Sequence, residues 1–160
     1  MITIGIDPGL TGAIAAVDQS GHYEVHDLPV QRDKSLAWID GAELGRIVRA
    51  FGAAHYMTGI IERVSAMPKQ GVASSFGFGV NFGSVLGVIQ GLGIRLELVT
   101  PAKWKREMAL GSDKDAALHK ARLLFPLADL RLKKHDGRAE ALLLAHWYIT
   151  KDKGKARAAA

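Results

Sequence analysis

The chain opens with MITIGIDPGLTGAIAAVDQSG (residues 1–21), in which a short β-branched run ends on a carboxylate. The run Ile2–Ile6 is typical of a buried strand, and the Pro-Gly pair after Asp7 predicts a turn. A second apolar run, Ala13–Val17, predicts a strand that returns beside the first. Asp7 is therefore expected at a fixed position, at the carboxyl end of a buried strand, with open space beside it.

Beyond this opening, the chain alternates strands with helices. The order of predicted elements is βββαβαβ followed by helices, which indicates an α/β fold with a mixed sheet flanked by helices. The further predicted strands are Tyr23–Leu28, Met57–Ile61 and Arg95–Val99. A first helix is capped by Asp40 and ends near Ala53, and a second is the glycine-rich segment from Phe76. Three more helices are predicted: Ala102–Met108, one that is capped by Ser112 or Asp113 and ends near Phe125, and Asp136–Ile149.

Length and composition favour one folded domain. The 160 residues are 48% apolar and include no cysteine, so any metal site must use oxygen or imidazole ligands. We expect a single domain over residues 1–150 and a basic, frayed tail over residues 151–160. No apolar run reaches the roughly 20 residues of a membrane-spanning helix, since the nearest, from Val80 to Ile94, is too short and rich in glycine. No signal peptide precedes the first strand. These features predict a cytoplasmic protein without a membrane partner.

The net charge of +5 permits a polyanionic partner but does not require one, because an ordinary basic surface has the same composition. The positive residues are concentrated in the second half of the chain. They cluster in 103–106, 114–122, 131–138 and 151–157.

Four carboxylates carry the chemical prediction. Asp7 and Glu62 each end an apolar strand, and Asp136 and Glu140 lie four residues apart on one face of the last helix. Taken singly, each acid could be a turn residue, a helix cap or a solvated side chain. Together they would repel one another unless cations lay between them. Oxygen ligands without cysteine favour Mg²⁺ or Mn²⁺, and two such ions can stabilise phosphodiester hydrolysis.

A glycine repeat marks the central helix. Gly79, Gly83, Gly87 and Gly91 recur every four residues and would form a stripe along one face of the helix. Each glycine costs about 1 kcal/mol in a helix interior, so a close backbone approach is expected in compensation. Two explanations stay open: tight packing of the stripe on the sheet, or a helix–helix contact in a dimer.

These segments resemble the RuvC-type Holliday junction resolvases of the RNase H-like superfamily, especially their phage and organellar relatives. The resemblance runs from about Ile2 to Tyr148. It rests on GIDPGLTGA, IIE, FGFGVNFGSVLG, TPAKWKREMALGSDK and HDGRAEALLLA in that order. It implies an RNase H-like fold with a five-stranded mixed sheet of order 3-2-1-4-5, and a Mg²⁺-dependent homodimer that cuts four-way DNA junctions symmetrically.

Carried over by motif, the resemblance implies that the four acids hold the metal ions, with Mn²⁺ as a substitute for Mg²⁺, and that Lys114 approaches the scissile phosphate. It further implies a dimer interface and a basic surface for DNA. The expected interface residues are Gly79, Gly83 and Gly87, and the expected DNA-binding residues are Lys69, Lys103, Lys105, Lys114, Lys133, Lys134 and Arg138.

Two features depart from the bacterial pattern. The last two acids are spaced by four residues where three is usual, so His135 could occupy a ligand position in another register. The aromatic residue expected shortly after Glu62 is missing. The side chain that would wedge the junction open is therefore unassigned, with Met67, Phe76 and Phe78 as candidates; the two phenylalanines are expected to be core residues.

Three other functions compete with junction resolution. A sugar- or acetate-kinase-like ATPase shares the D-P-G-L-T type of loop but needs a second domain. An RNase H-like nuclease acting on ribosomal RNA precursors would lack the glycine-striped helix. A non-catalytic junction-binding module would need the basic surface but none of the acids.

Overall fold

The computed structural model describes residues 1–34, 36–63, 71–111 and 114–158, except the side chains of Lys114 and of residues 152–158. The strands are β1 (Ile2–Ile6), β2 (Ala13–Asp18), β3 (Tyr23–Asp27), β4 (Val30–Arg32), β5 (Ala37–Ile39), β6 (Met57–Glu62) and β7 (Arg95–Val99). The helices are α1 (Gly41–Phe51), α2 (Val72–Gly91), α3 (Pro101–Glu107), α4 (Lys114–Leu124) and α5 (Asp136–Ala158), with short 3₁₀ turns at Ala54–Tyr56 and Lys133–His135.

Five strands form the main sheet in the order β3-β2-β1-β6-β7. Counted along this sheet the order is 3-2-1-4-5, so the predicted mixed sheet flanked by helices is confirmed. The strands β1, β2 and β3 pair antiparallel, while β1, β6 and β7 run parallel. The short strands β4 and β5 pair only with each other, and the sequence analysis did not predict them.

The two faces of the sheet carry separate cores because successive side chains of a strand point to opposite faces. On one face Ile4 and Ile6 pack with α1 and α2 residues such as Leu44 and Val85. On the other face the strand residues pack against α3, α4 and α5. Gly5 lies on this second face. Asp7, two residues further along β1, therefore points to the same side as α5.

Local signals explain the helix starts. Asp40 caps α1 as predicted, because its Oδ1 accepts hydrogen bonds from the backbone N–H groups of Ala42 and Glu43, both at 3.0 Å. Pro101 occupies the first turn of α3, where its missing N–H group costs no hydrogen bond. The predicted caps of α4, Ser112 and Asp113, lie outside the described residues.

Two helix boundaries and one expectation about membrane-spanning length need correction. The helix α2 begins at Val72, inside the segment predicted as a loop to Ser75, and α5 continues past Ile149 to Ala158. The helix α2 is also long and apolar enough, by length and composition, to cross a membrane. The sequence expectation was wrong on this point because it considered only the stretch from Val80 to Ile94, whereas the helix begins at Val72 and has 20 residues. The predicted end of the domain at residue 150 stays a prediction.

Candidate active site

The strand register places two of the predicted acids side by side. The strands β1 and β6 are parallel neighbours, with Ile6 opposite Ile61. One residue further along, Asp7 follows the end of β1 and Glu62 is the last residue of β6, so both lie at the carboxyl edge of the sheet, the edge at which open α/β sheets hold their sites. Both side chains point to the α5 face because they follow Gly5 and Ile60 by two residues.

The helix α5 brings the other two acids to this edge because it lies directly on β1. A Cβ atom on Gly5 would stand 2.1 Å from the carbonyl oxygen of Ala141 and 2.7 Å from the backbone nitrogen of Ala145, so only glycine permits this approach. At the start of α5, a Cβ atom on Gly137 would stand 2.6 Å from the carbonyl oxygen of Thr11 and 3.2 Å from Oδ2 of Asp7. The first turn of α5 therefore packs against the loop that follows Asp7.

Electrostatics show that the acids share one site. The pKa of Asp7 is raised to about 7, first by burial and then by the neighbouring charges of Glu140, Glu62 and Asp136, against a hydrogen bond from the backbone N–H of Gly9 that lowers it. Burial also raises the pKa of Glu62, and Glu140 adds to the effect. This is the pattern expected of clustered carboxylates that have no cation between them.

Two side chains orient the acids. The indole Nε1–H of Trp104, fully buried, donates a hydrogen bond of 2.9 Å to Oε1 of Glu62 and opposes the rise in the pKa of that carboxyl. Nζ of Lys105 donates to Oε1 of Glu140 at 2.7 Å, and both side chains are mostly buried. The sequence analysis assigned Lys105 to DNA and gave Trp104 no role. The one feature of the sequence that points to these two roles is that the short helix in TPAKWKRE directly follows β7, which places Trp104 and Lys105 near the carboxyl edge of the sheet.

Comparisons with solved structures agree with the fold. Two solved structures of RuvC from Thermus thermophilus match 96% of this chain and 97% of their own. One, in complex with a Holliday junction substrate, has a TM-score of 0.63 and 17% identity. The other has a TM-score of 0.60 and 20% identity. The chain has the RuvC fold.

Sequence comparison points the same way over a shorter span. The chain is 37% identical over 95 residues, 57% of its length, to the chloroplastic Holliday junction resolvase MOC1 of Chlamydomonas reinhardtii. That match spans only 11% of the curated relative. No protein-family profile matches the chain.

Within the RuvC fold, the register question at the start of α5 has a geometric answer. His135 is buried, and its Nδ1 lies 3.8 Å from Oδ1 of Asp129, with no hydrogen-bond partner among the described residues. Its ring is thus next to Asp129, whereas Asp136 and Glu140 are the residues of this segment whose charges act on Asp7. The geometry favours the predicted pair of acids over His135.

The side chains predicted to bind DNA differ in their exposure and in whether they already pair with acids of the protein. Lys103 and Lys134 are exposed, and Lys133 lies 3.5 Å from the carboxylate of Asp115. Arg138 is committed within the protein: its Nε and Nη2 donate to the two carboxylate oxygens of Asp27 at 2.5 and 2.7 Å. We therefore assign Arg138 a structural role, joining α5 to the end of β3. Lys69 and the side chain of Lys114 lie outside the described residues.

The glycine stripe does not pack on the sheet. Among the described residues, a Cβ atom on Gly79, Gly83, Gly87 or Gly91 would meet no atom within 4 Å, so the expectation of tight packing on the sheet is wrong. Phe76 is 70% exposed, which also contradicts its expected place in the core, whereas Phe78 is partly buried. Met67 lies outside the described residues.

The donor set fits a divalent cation by its chemistry. The four acids offer only hard oxygen atoms, and a cation would offset both the burial of Asp7 and the repulsion from Glu140, Glu62 and Asp136 that raise its pKa. Within the described part of the chain, no three carboxylate or imidazole groups stand close enough together to hold an ion as they are placed. Small movements of these side chains would have to accompany metal binding.

Proposed function

We propose that this protein is a metal-dependent endonuclease that resolves four-way DNA junctions. The observation that carries the proposal is the cluster of Asp7, Glu62, Asp136 and Glu140 at the carboxyl edge of a sheet with the RuvC fold. The junction named for the solved RuvC complex and the resolvase named for the curated relative support the choice of substrate.

The acids would hold Mg²⁺, or Mn²⁺ in its place, and the metal would supply positive charge to the attacking water and to the leaving oxygen of the phosphodiester. The protein's own residues prepare the site. Without a cation, Asp7 keeps its proton up to about pH 7, and this proton must leave when a cation binds. Trp104 fixes the rotamer of Glu62, and Lys105 fixes that of Glu140. Lys114 is proposed to approach the scissile phosphate from the start of α4.

The exposed face of α2 supports a homodimer. Val72, Phe76 and Val80 are exposed by 88%, 70% and 39%, and at helical spacing they continue into the open glycine positions Gly83 and Gly87. A flat apolar face of this kind on a soluble fold marks an interface. A second copy is the favoured partner, because a symmetric pair of cuts in a two-fold junction requires two sites related by a two-fold axis.

The same face offers a wedge for the junction. Phe76 is the favoured candidate, since it lies at the start of α2 with most of its ring exposed. An exposed aromatic ring can stack on an unpaired base at the crossover, with a gain of about 1–3 kcal/mol.

Cleavage assays test the proposed activity. The protein is incubated with a four-way junction, a linear duplex, a flap and an RNA–DNA hybrid, each with and without Mg²⁺. Paired symmetric cuts in the junction alone, and only with Mg²⁺, are expected. Preferred cleavage of the hybrid would favour the ribosomal RNA alternative, and metal-insensitive binding without cuts would favour the non-catalytic module.

Sedimentation of Gly83→Leu tests the assembly. The variant is expected to stay folded and become monomeric, because leucine would hold two α2 helices apart. A dimer that survives would place the contact elsewhere. Binding of the wild type to neutral phosphatidylcholine vesicles would instead assign the α2 face to a membrane, and so oppose the proposed cytoplasmic location.

A further inference from the structure

A polar cavity lies at the β7 edge of the sheet, beside the four acids but separate from them. It has a volume of about 190 Å³ and lies between β7, the start of α3 and the middle of α5. At roughly 30 Å³ per water it would hold about six waters, which is enough room for a phosphate group.

Three cations line this cavity. Arg63 follows Glu62 directly, Lys103 lies in the first turn of α3, and Lys151 lies on α5. In the described ranges, no carboxylate forms an ion pair with any of the three. Lys151 is positioned instead by Trp147, whose ring centroid lies 4.7 Å from its Nζ.

Among the residues whose side chains the structure describes, Glu97 is the one carboxylate in the lining, and it is already engaged. Its Oε1 accepts hydrogen bonds from the hydroxyl of Tyr148 at 2.7 Å and from Nη2 of Arg95 at 3.0 Å. Glu97 therefore cannot neutralise three cations. Like charges held together around a concave space favour a bound anion, since the anion replaces their mutual repulsion by attraction.

The backbone fixes this cavity relative to the acids. The N–H of Arg63 donates to the carbonyl of Val99 at 2.6 Å, which extends the β6–β7 pairing by one residue past Glu62. Lys103 lies two residues before Lys105, the partner of Glu140. One wall of the cavity is thus adjacent in sequence to the acid Glu62, and the other lies two residues from the lysine that pairs with Glu140.

We propose that this cavity binds a phosphodiester group of the nucleic acid strand that passes the acids, at a nucleotide next to the scissile one. Arg63, Lys103 and Lys151 would contact the phosphate oxygens, and Glu97 would keep bases and further anions away. The inference rests on the proposed nuclease function and adds to it a positioning site that none of the four acids provides.

Salt-dependent binding tests the cavity. Binding of the full chain to a four-way junction is measured in EDTA over a range of salt concentrations. Lys103→Ala and Arg63→Ala are each expected to lower the slope of log K against log salt by about 0.9, the value for one lost phosphate contact on duplex DNA. Lys103→Arg should restore the slope. The matched control Arg49→Ala removes one exposed charge from α1, on the opposite face of the sheet, and should leave the slope unchanged.

A second pair of variants tests whether the loss of a negative charge from the cavity strengthens junction binding. Glu97→Gln removes the one negative charge while keeping a hydrogen-bond acceptor for Tyr148, and should tighten junction binding. Glu43 forms a comparable pair with Arg46 on α1, so Glu43→Gln is the control and should not tighten it. If Lys103→Ala and Arg63→Ala behave as Arg49→Ala does, or Glu97→Gln behaves as Glu43→Gln does, the proposal is overturned.

The outcomes separate the cavity from the nuclease function. Wild-type protein that cuts junctions while the cavity variants bind normally would overturn only the cavity. Normal slopes on DNA together with quenching of tryptophan fluorescence by inorganic phosphate would assign the cavity to a free anion and overturn the proposal. Protein that cuts no junction but shows the predicted slopes on single strands, about 0.7 per contact, would overturn junction resolution and keep the cavity.

Discussion

The two faces of the sheet use glycine in opposite ways. On the α5 face, Gly5 lies on the strand and lets the backbone of α5 touch β1, and this contact sets the position of the acids. On the α2 face, the glycines lie on the helix and point to open space. Glycine at a close backbone contact is thus part of the fold, whereas the glycine stripe of α2 makes no such contact within the described residues and is the surface that we propose for a second copy.

The largest expected effect is a stability difference between these two kinds of glycine. Gly5→Ala should destabilise the protein by about 3 kcal/mol or more, because its Cβ would overlap backbone atoms that cannot move aside. Gly83→Ala should be neutral or stabilise by up to about 1 kcal/mol, since alanine is the better helix former. Chemical denaturation of both variants checks this. Equal destabilisation by the two changes would contradict the comparison.

The second prediction concerns how the protonation of Asp7, on the α5 face, affects the stability of the protein. The pKa of Asp7 rises from its ordinary value of 3.8 to about 7 on folding, so the folded state binds more protons between these pH values. In EDTA, the free energy of unfolding should therefore be greatest below pH 3.8 as far as Asp7 is concerned. It should fall as the pH rises to 7, by up to about 4 kcal/mol.

Added Mg²⁺ should reverse much of this loss above pH 7, because a cation favours the ionised carboxylates. Asp7→Asn cannot titrate and should flatten the profile in EDTA. A wild-type profile that matches that of Asp7→Asn would show that Asp7 is not held protonated.

The third prediction concerns the orientation of Glu62. Trp104→Phe removes the hydrogen bond to this buried carboxyl, at a cost of about 1.5–3 kcal/mol, and leaves its pKa higher still. Cleavage should slow, and its acid limb should move to higher pH. Trp38→Phe is the matched control, because Trp38 lies on β5, which pairs with β4 away from the acids and from the phosphate cavity. A pH–rate profile changed equally by both variants would argue against an orienting role.

The smallest effect concerns the ion pair that joins the start of α5 to β3. Arg138→Gln should cost about 1–2 kcal/mol, since the pair with Asp27 is bidentate and partly buried. Arg46→Gln should cost much less, because its pair with Glu43 is exposed and screened by solvent. Arg138→Gln should also leave the salt dependence of junction binding unchanged. A slope lowered by about 0.9 would restore Arg138 to the DNA-binding surface.

The sequence predicted the elements with strong local signals. Apolar β-branched runs and the Asp40 cap located the main strands and α1, and carboxylates that end two such runs located half of the site. Three-residue strands such as β4 and β5 carry too little pattern to be recognised. The roles of Gly5 and Trp104 depend on contacts with residues more than 40 positions away, and no local pattern reports these.

The exposure of α2 was equally invisible in the sequence. A glycine every four residues indicates that something approaches the helix, but it does not say whether the sheet or another molecule does so. Only the position of α2 on the sheet, with Asn81, Val85 and Ile89 turned inward, shows that the glycines face outward.

The most direct test of the central claim is single-turnover cleavage of a four-way junction in Mg²⁺ by the wild type, Asp7→Asn and Asp18→Asn. Asp7→Asn should cut at least about 100-fold more slowly, by analogy with the loss of one major electrostatic contribution, while it binds the junction normally. Asp18, at the far end of β2 opposite Ile2, is partly exposed and outside the cluster, so Asp18→Asn should cut at the wild-type rate. Near-wild-type cleavage by Asp7→Asn would contradict the account.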